Sequence, residues 1–243
     1  MSSTAETGHA KNVSNTETLI EHCRTFGARY NPSNENLLIA NLVAIHLTAK
    51  QKLTNVSTQK TAFKEVEGQR IQLFAPYKKL ATRIINALSS SGAPATVIAD
   101  AITINRKMQG TRAPGSKAKF DKEGKPIKRI SVSQQSYDSK IQHLSALIEL
   151  LSREQKYNPN EEELKVTTLK AYLQQLEQIN KALKVANSPY TNALIDRNKF
   201  FYTPQTGMIA TMQLVKNYVL SAFLSTSPEY ALVSSLPFRE YEI

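Results

Sequence analysis

Tyr30-Asn31-Pro32-Ser33-Asn34-Glu35-Asn36-Leu37 is echoed 127 residues downstream by Tyr157-Asn158-Pro159-Asn160-Glu161-Glu162-Glu163-Leu164. At that offset seven of the fifteen positions from 30 to 44 are identical, among them Leu42 with Leu169 and Ala44 with Ala171. The match resumes at Arg70 with Arg197 and at Phe74 with Phe201. Eight extra residues then move the offset to 135, where Ile84 pairs with Val219, Ile85 with Leu220, Ala87 with Ala222, Leu88 with Phe223, Val97 with Leu232 and Ile98 with Val233. A shared Tyr-Asn-Pro with matching spacing downstream is not a generic property of amphipathic helices. The chain therefore reads as an internal duplication.

Each copy reads as helix, tight turn, long helix, helix, short helix. Pro32 pushes Asn31 out of the helical region and ends the first helix. Ser33 or Asn34 then caps the next one, with Glu35 in its first turn; in the second copy Asn160 is the expected cap and Glu161, Glu162 and Glu163 follow it. The tyrosine is expected to pack over the turn with its hydroxyl reaching solvent or backbone, which makes Tyr30, Asn31, Pro32, Tyr157, Asn158 and Pro159 structural positions. Leu38, Leu42, Ile45, Ala49, Leu53, Val56, Phe63 and Val66 form one apolar stripe, and Leu169, Leu173, Leu176, Ile179, Leu183 and Ala186 form another. The first stripe predicts a helix from about 34 to 66. In the second, Ser188-Pro189 predicts a kink or a stop and restart. Third helices are expected at about 77–90 and 206–224, and short fourth helices at about 95–107 and 229–236, each pair separated by a Ser-rich, Pro-containing break.

No alternating β-branched run is present, so the expected fold is all-α, with two coiled-coil-like antiparallel bundles in tandem. The expected layout is a disordered polar tail over 1–15, one bundle over 16–107, a basic linker over 108–130, a second bundle over 131–236 and a C-terminal tail over 237–243.

The 243 residues carry 31 Lys plus Arg against 20 Asp plus Glu, a net charge of +11. Much of the excess is concentrated. Arg106, Lys107, Arg112, Lys117, Lys119, Lys122, Lys125, Lys128 and Arg129 are opposed over the same stretch only by Asp121 and Glu123. Gly110, Pro114, Gly115, Gly124 and Pro126 interrupt it, so it reads as a flexible linker. These nine cations are the candidate polyanion-binding residues, because Lys and Arg neutralise phosphates and release their counterions. Phe120 is the single aromatic available to stack on a base.

Motifs for chemistry are missing. One cysteine, Cys23, excludes an intramolecular disulfide framework and a multi-Cys zinc site. His9, His22, His46 and His143 form no His-x-x-x-His pair and no His-Glu-x-x-His motif. Gly110-Thr111-Arg112-Ala113-Pro114-Gly115-Ser116-Lys117 resembles a phosphate-binding loop but places Ser before Lys, the reverse of what that site needs. No catalytic, metal or cofactor residue is assigned, and no small-molecule substrate is evident. Neither a signal peptide nor a long apolar span is found, so a cytoplasmic protein without a membrane anchor is expected.

The expected function is non-catalytic: a scaffold or self-associating interaction protein with two similar modules, partnered by protein or by itself. The alternative is nonspecific nucleic-acid binding through the central basic segment.

Overall fold

A computed structural model describes residues 8–111 and 134–241. The chain is all-helical, as its periodicity predicts: α1 His9–Thr25, α2 Ile39–Phe74, α3 Tyr77–Ser90, α4 Ala95–Gln109, α5 Tyr137–Arg153, α6 Val166–Tyr202, α7 Met208–Phe223 and α8 Pro228–Ser234. No strand occurs among the described residues. Neither is any helix there long and apolar enough to cross a membrane.

The two Tyr-Asn-Pro turns have the same internal geometry. The Tyr30 hydroxyl donates to the Leu37 carbonyl at 2.8 Å, and the Tyr157 hydroxyl to the Leu164 carbonyl at 2.9 Å. Each leucine closes a single 3-10 turn, Glu35–Leu37 or Glu162–Leu164. The next residue is extended in both, Leu38 at φ −60°, ψ 142° and Lys165 at φ −62°, ψ 141°. The long helices therefore start at 39 and 166, and α2 starts later than the expected 34. An extended residue cannot continue a helix, and the tyrosine hydroxyl already occupies the carbonyl before it. Asn34 caps its 3-10 turn by accepting from the Asn36 amide, whereas Asn160 does not cap: Glu161 holds that position without a side-chain bond. Pro32 is not what ends α1, which stops at Thr25 and turns through Gly27 at φ +57°.

Helix α6 passes through Pro189 without stopping. Proline removes the bond that the Val185 carbonyl would accept. Val185 is 63% exposed, so water can satisfy that carbonyl. The N-terminal boundary also departs from expectation. Residues 9–15 are helical, with Asn12, Val13 and Asn15 buried. Asn15 Nδ2 donates to the Pro237 carbonyl at 2.6 Å, and Asn12 both donates to the Arg239 carbonyl at 2.7 Å and accepts its amide at 3.2 Å. Polar side chains of α1 thus hold the C-terminal segment and satisfy its backbone groups at Pro237 and Arg239.

The chain divides into two compact units, but not into the contiguous blocks 16–107 and 131–236. One unit comprises residues 1–63 and 186–243, the other residues 64–185. In the first, α1 packs on α7 and α8, and the Glu35–Leu37 turn packs on α7. Its core joins Leu19, Ile20, Cys23, Leu37 and Leu42 to Met212, Val215, Val219, Phe223 and Val233. In the second unit, α5 packs on α4, α4 on α3, and the Glu162–Leu164 turn on α3. Its core joins Phe74, Tyr77, Ile84, Leu88 and Met108 to Leu144, Leu147, Leu151, Leu164 and Leu169. Each unit therefore combines the opening helix and turn of one half of the chain with the third and fourth helices of the other half. The sequence stripes announce that these helices need partners; they do not say which.

Candidate functional site

In the second unit the fold brings together several cations that have no carboxylate partner among the described residues. Helix α4 ends in Arg106 and Lys107, whose charge complements the helix dipole, and Gly110 at φ 74° closes it. The Gly110 amide bonds to the Lys107 carbonyl at 3.2 Å and the Thr111 amide to the Arg106 carbonyl at 2.9 Å, the double bond of a glycine-terminated helix. Helix α5 starts beside it: the Ser136 hydroxyl accepts the Ser139 amide, and Gln135 Nε2 donates to the Lys107 carbonyl at 2.7 Å. From α3, Lys78 Nζ donates to the Gln109 carbonyl at 2.9 Å, while Gln109 Nε2 returns a bond to the Lys78 carbonyl at 2.8 Å. The Tyr77 hydroxyl bonds to the Lys140 carbonyl at 2.8 Å and fixes α5 against α3.

Lys78, Lys107 and Lys140 thus come from three helices to one end of the unit, with Arg70 behind them. The Arg70 guanidinium lies 3.8 Å from the centre of the Tyr137 ring, and Lys140 Nζ lies 5.0 Å from it. Among the described residues no carboxylate is within ion-pairing distance of these three lysines. Four carboxylates of the unit are engaged with other cations: Glu163 with Arg83, Glu149 with Arg153, Glu162 with Lys165, and Asp138 with Lys184. The electrostatic consequence is direct. Partial burial, then Lys78 and Arg70, hold the Lys140 ammonium below its ordinary pKa. Burial and Lys107 likewise lower His143. Like charges crowd here without compensation.

Of the nine cations singled out from sequence, only Arg106 and Lys107 are described, and they lie in α4, the helix expected over about 95–107. Arg112, Lys117, Lys119, Lys122, Lys125, Lys128 and Arg129 lie outside the described residues. Sequence reasoning missed Lys78, Lys140 and Arg70, which are distant along the chain. One signal was available: α3 carries Lys78, Lys79 and Arg83 and no acidic residue.

The other candidates for chemistry are accounted for by packing. Cys23 is buried, and burial, against a hydrogen bond with Tyr30, pushes its thiol up to about 12. His46 is buried, with Nδ1 unpartnered and Nε2 3.9 Å from Glu17. His9 is not in a free tail: it opens α1, its Nδ1 2.6 Å from the Tyr202 hydroxyl. No group of three or more His, Cys, Asp or Glu that could hold a metal occurs among the described residues. Three open clefts mark the second unit. One of about 610 Å³ lies between α3 and the Tyr157-Asn158-Pro159 turn. Another of about 590 Å³ lies beside Leu80, Leu169 and Tyr172, and a third of about 520 Å³ lies between α4 and α5.

Comparison with protein-family models, with curated proteins and with solved structures returns no match.

Proposed function

We propose that the protein is a non-catalytic helical interaction protein, a self-associating scaffold whose two similar modules arose by internal duplication. The observation that carries this reading is the pair of equivalent turns, Tyr30 on Leu37 and Tyr157 on Leu164, each seated against the third helix of the other half. Phe63 and Tyr190, equivalent at the same offset, stack with ring centres 5.8 Å apart, which supports the same equivalence. Two like modules in one chain suit bivalent binding or assembly of copies. Light scattering coupled to size exclusion tests it. A mass above the 27.1 kDa of one chain, rising with concentration and persisting in high salt, is the expected result. A monomer at every concentration and salt would remove the reading.

A second reading has its own observation. Thr111 and Gln134, which flank the basic segment in sequence, lie at the end of the second unit that carries Lys78, Lys107 and Lys140. Nonspecific polyanion binding there would use the charge of the segment and release counterions, so it would weaken steeply with salt.

A further inference from the structure

We infer that the end of the second unit where α3, α4 and α5 converge is a seat for the phosphate backbone of a nucleic acid, contacted by Lys78, Lys107 and Lys140. The inference rests on the polyanion reading but places the contacts on the folded surface, independent of residues 112–129. Three features of the surface lead to it. Its lysines are free of carboxylates while the neighbouring cations Arg83, Arg153, Lys165 and Lys184 are paired. They are held in place from behind: Gln109 and Gln135 tie α3, α4 and the start of α5 together. Arg70, bonded to Asn180 and lying on Tyr137, supplies fixed charge rather than a contact. An ammonium has three donors. Lys78 spends one on the Gln109 carbonyl and keeps two for a ligand.

The shape decides the class of ligand. Lys78 and Lys107 are exposed and Lys140 is half-buried, and none of the three clefts includes them, an arrangement that suits a polymer better than a small anion in a pocket. Among the described residues none of the large exposed apolar side chains belongs to α3, α4 or α5, which favours a phosphate polymer over a lipid surface as the ligand. With no base-reading group among the contacts, binding follows the backbone and not the sequence.

The test is fluorescence anisotropy of the full chain with a labelled mixed-sequence DNA duplex of about 20 base pairs, titrated from about 50 to 200 mM salt. The triple variant Lys78→Gln, Lys107→Gln, Lys140→Gln is expected to bind at least about tenfold more weakly, with the salt slope reduced by about two to three. A charge-matched control, Lys79→Gln, Lys170→Gln, Lys181→Gln, is expected to bind nearly as the parent does. Circular dichroism shows that each variant is folded. A second variant neutralises Lys117, Lys119, Lys125, Lys128 and Arg129. If that variant loses binding while the seat variant keeps the parental affinity and slope, the seat is wrong and the second reading stands. If the parent binds no duplex, both fall. An equal loss in the charge-matched control, or displacement of the duplex by polyglutamate at equal charge concentration, would also overturn the seat.

Discussion

Cleaving the chain inside the basic segment distinguishes interleaved units from tandem bundles. A site-specific protease sequence in place of residues 116–122 converts the protein, after cleavage, into two chains. Tandem bundles would then be free to part. Interleaved units cannot separate without opening both cores. In the first unit the C-terminal chain buries five side chains, Met212, Val215, Val219, Phe223 and Val233, against the N-terminal chain. In the second it buries eight, from Leu144 to Leu176. At about 2 kcal/mol per large apolar side chain, the two sets together contribute about 25 kcal/mol, an upper value because separated chains collapse in part. Joining two bodies costs roughly 4–15 kcal/mol. A surplus of about 10 kcal/mol corresponds to a dissociation constant below about 0.1 μM. On size exclusion at micromolar concentration, both fragments are expected in one peak with the helical circular dichroism of the intact protein. They should part only in denaturant. Two separate peaks in native buffer, each helical, would refute the interleaving.

Two further outcomes follow from single contacts. Tyr30→Phe and Tyr157→Phe each leave a buried leucine carbonyl without its hydroxyl donor, and each should lower the unfolding free energy by about 1–2 kcal/mol in urea titrations; a loss at one turn and none at the other would break their equivalence. His9 is held below its ordinary pKa by burial and by Arg197, beside Tyr202 and Tyr241. The unfolded chain therefore takes up the proton first. The stability linked to His9 is complete above about pH 6.5 and is lost as pH falls below it. His9→Gln should flatten that fall, and an unaltered pH profile in the variant would exclude His9 as its source.

Local signals in the sequence carried the helices well. The breaks at Ser89-Ser90-Ser91-Gly92 and Ser225-Thr226-Ser227-Pro228 place α3 at 77–90 and α7 within 206–224, because breakers and caps act on their immediate neighbours. Ser227 does cap α8, accepting the Tyr230 amide. Two things were out of reach. The start of α1 at His9 depends on Asn12 and Asn15, which look like solvent-facing residues until the backbone of 237–239 arrives to pair with them. Hydropathy counts a polar group as exposed whether water or a distant carbonyl satisfies it. The exchange of partners was equally hidden. Leu42 and Leu169 sit on equivalent stripes, and either stripe could pack on α3 or on α7; the choice is made by connections that run over 100 residues. The candidate site divides in the same way. Lys107 was visible as part of a charge run, whereas Lys78 and Lys140 acquire meaning only when α3 and α5 meet at the end of α4.

That meeting also changes what the basic segment is. A linker between two domains leaves one and enters the other. Here both ends belong to the second unit: a Cβ on Gly110 would come within 2.9 Å of the Gln135 side chain, and Gln135 bonds to the Lys107 carbonyl. The passages between units fall instead inside α2, at 63–64, and inside α6, at 185–186. Thr111 and Gln134, the described residues on either side of the basic segment, therefore lie in one unit, the one that carries Lys78, Lys107 and Lys140. Gln109 and Gln135, bonded to the Lys78 and Lys107 carbonyls, hold the end of α4 against α3 and against the start of α5, so Thr111 and Gln134 are fixed by the same contacts that bring Lys78, Lys107 and Lys140 together.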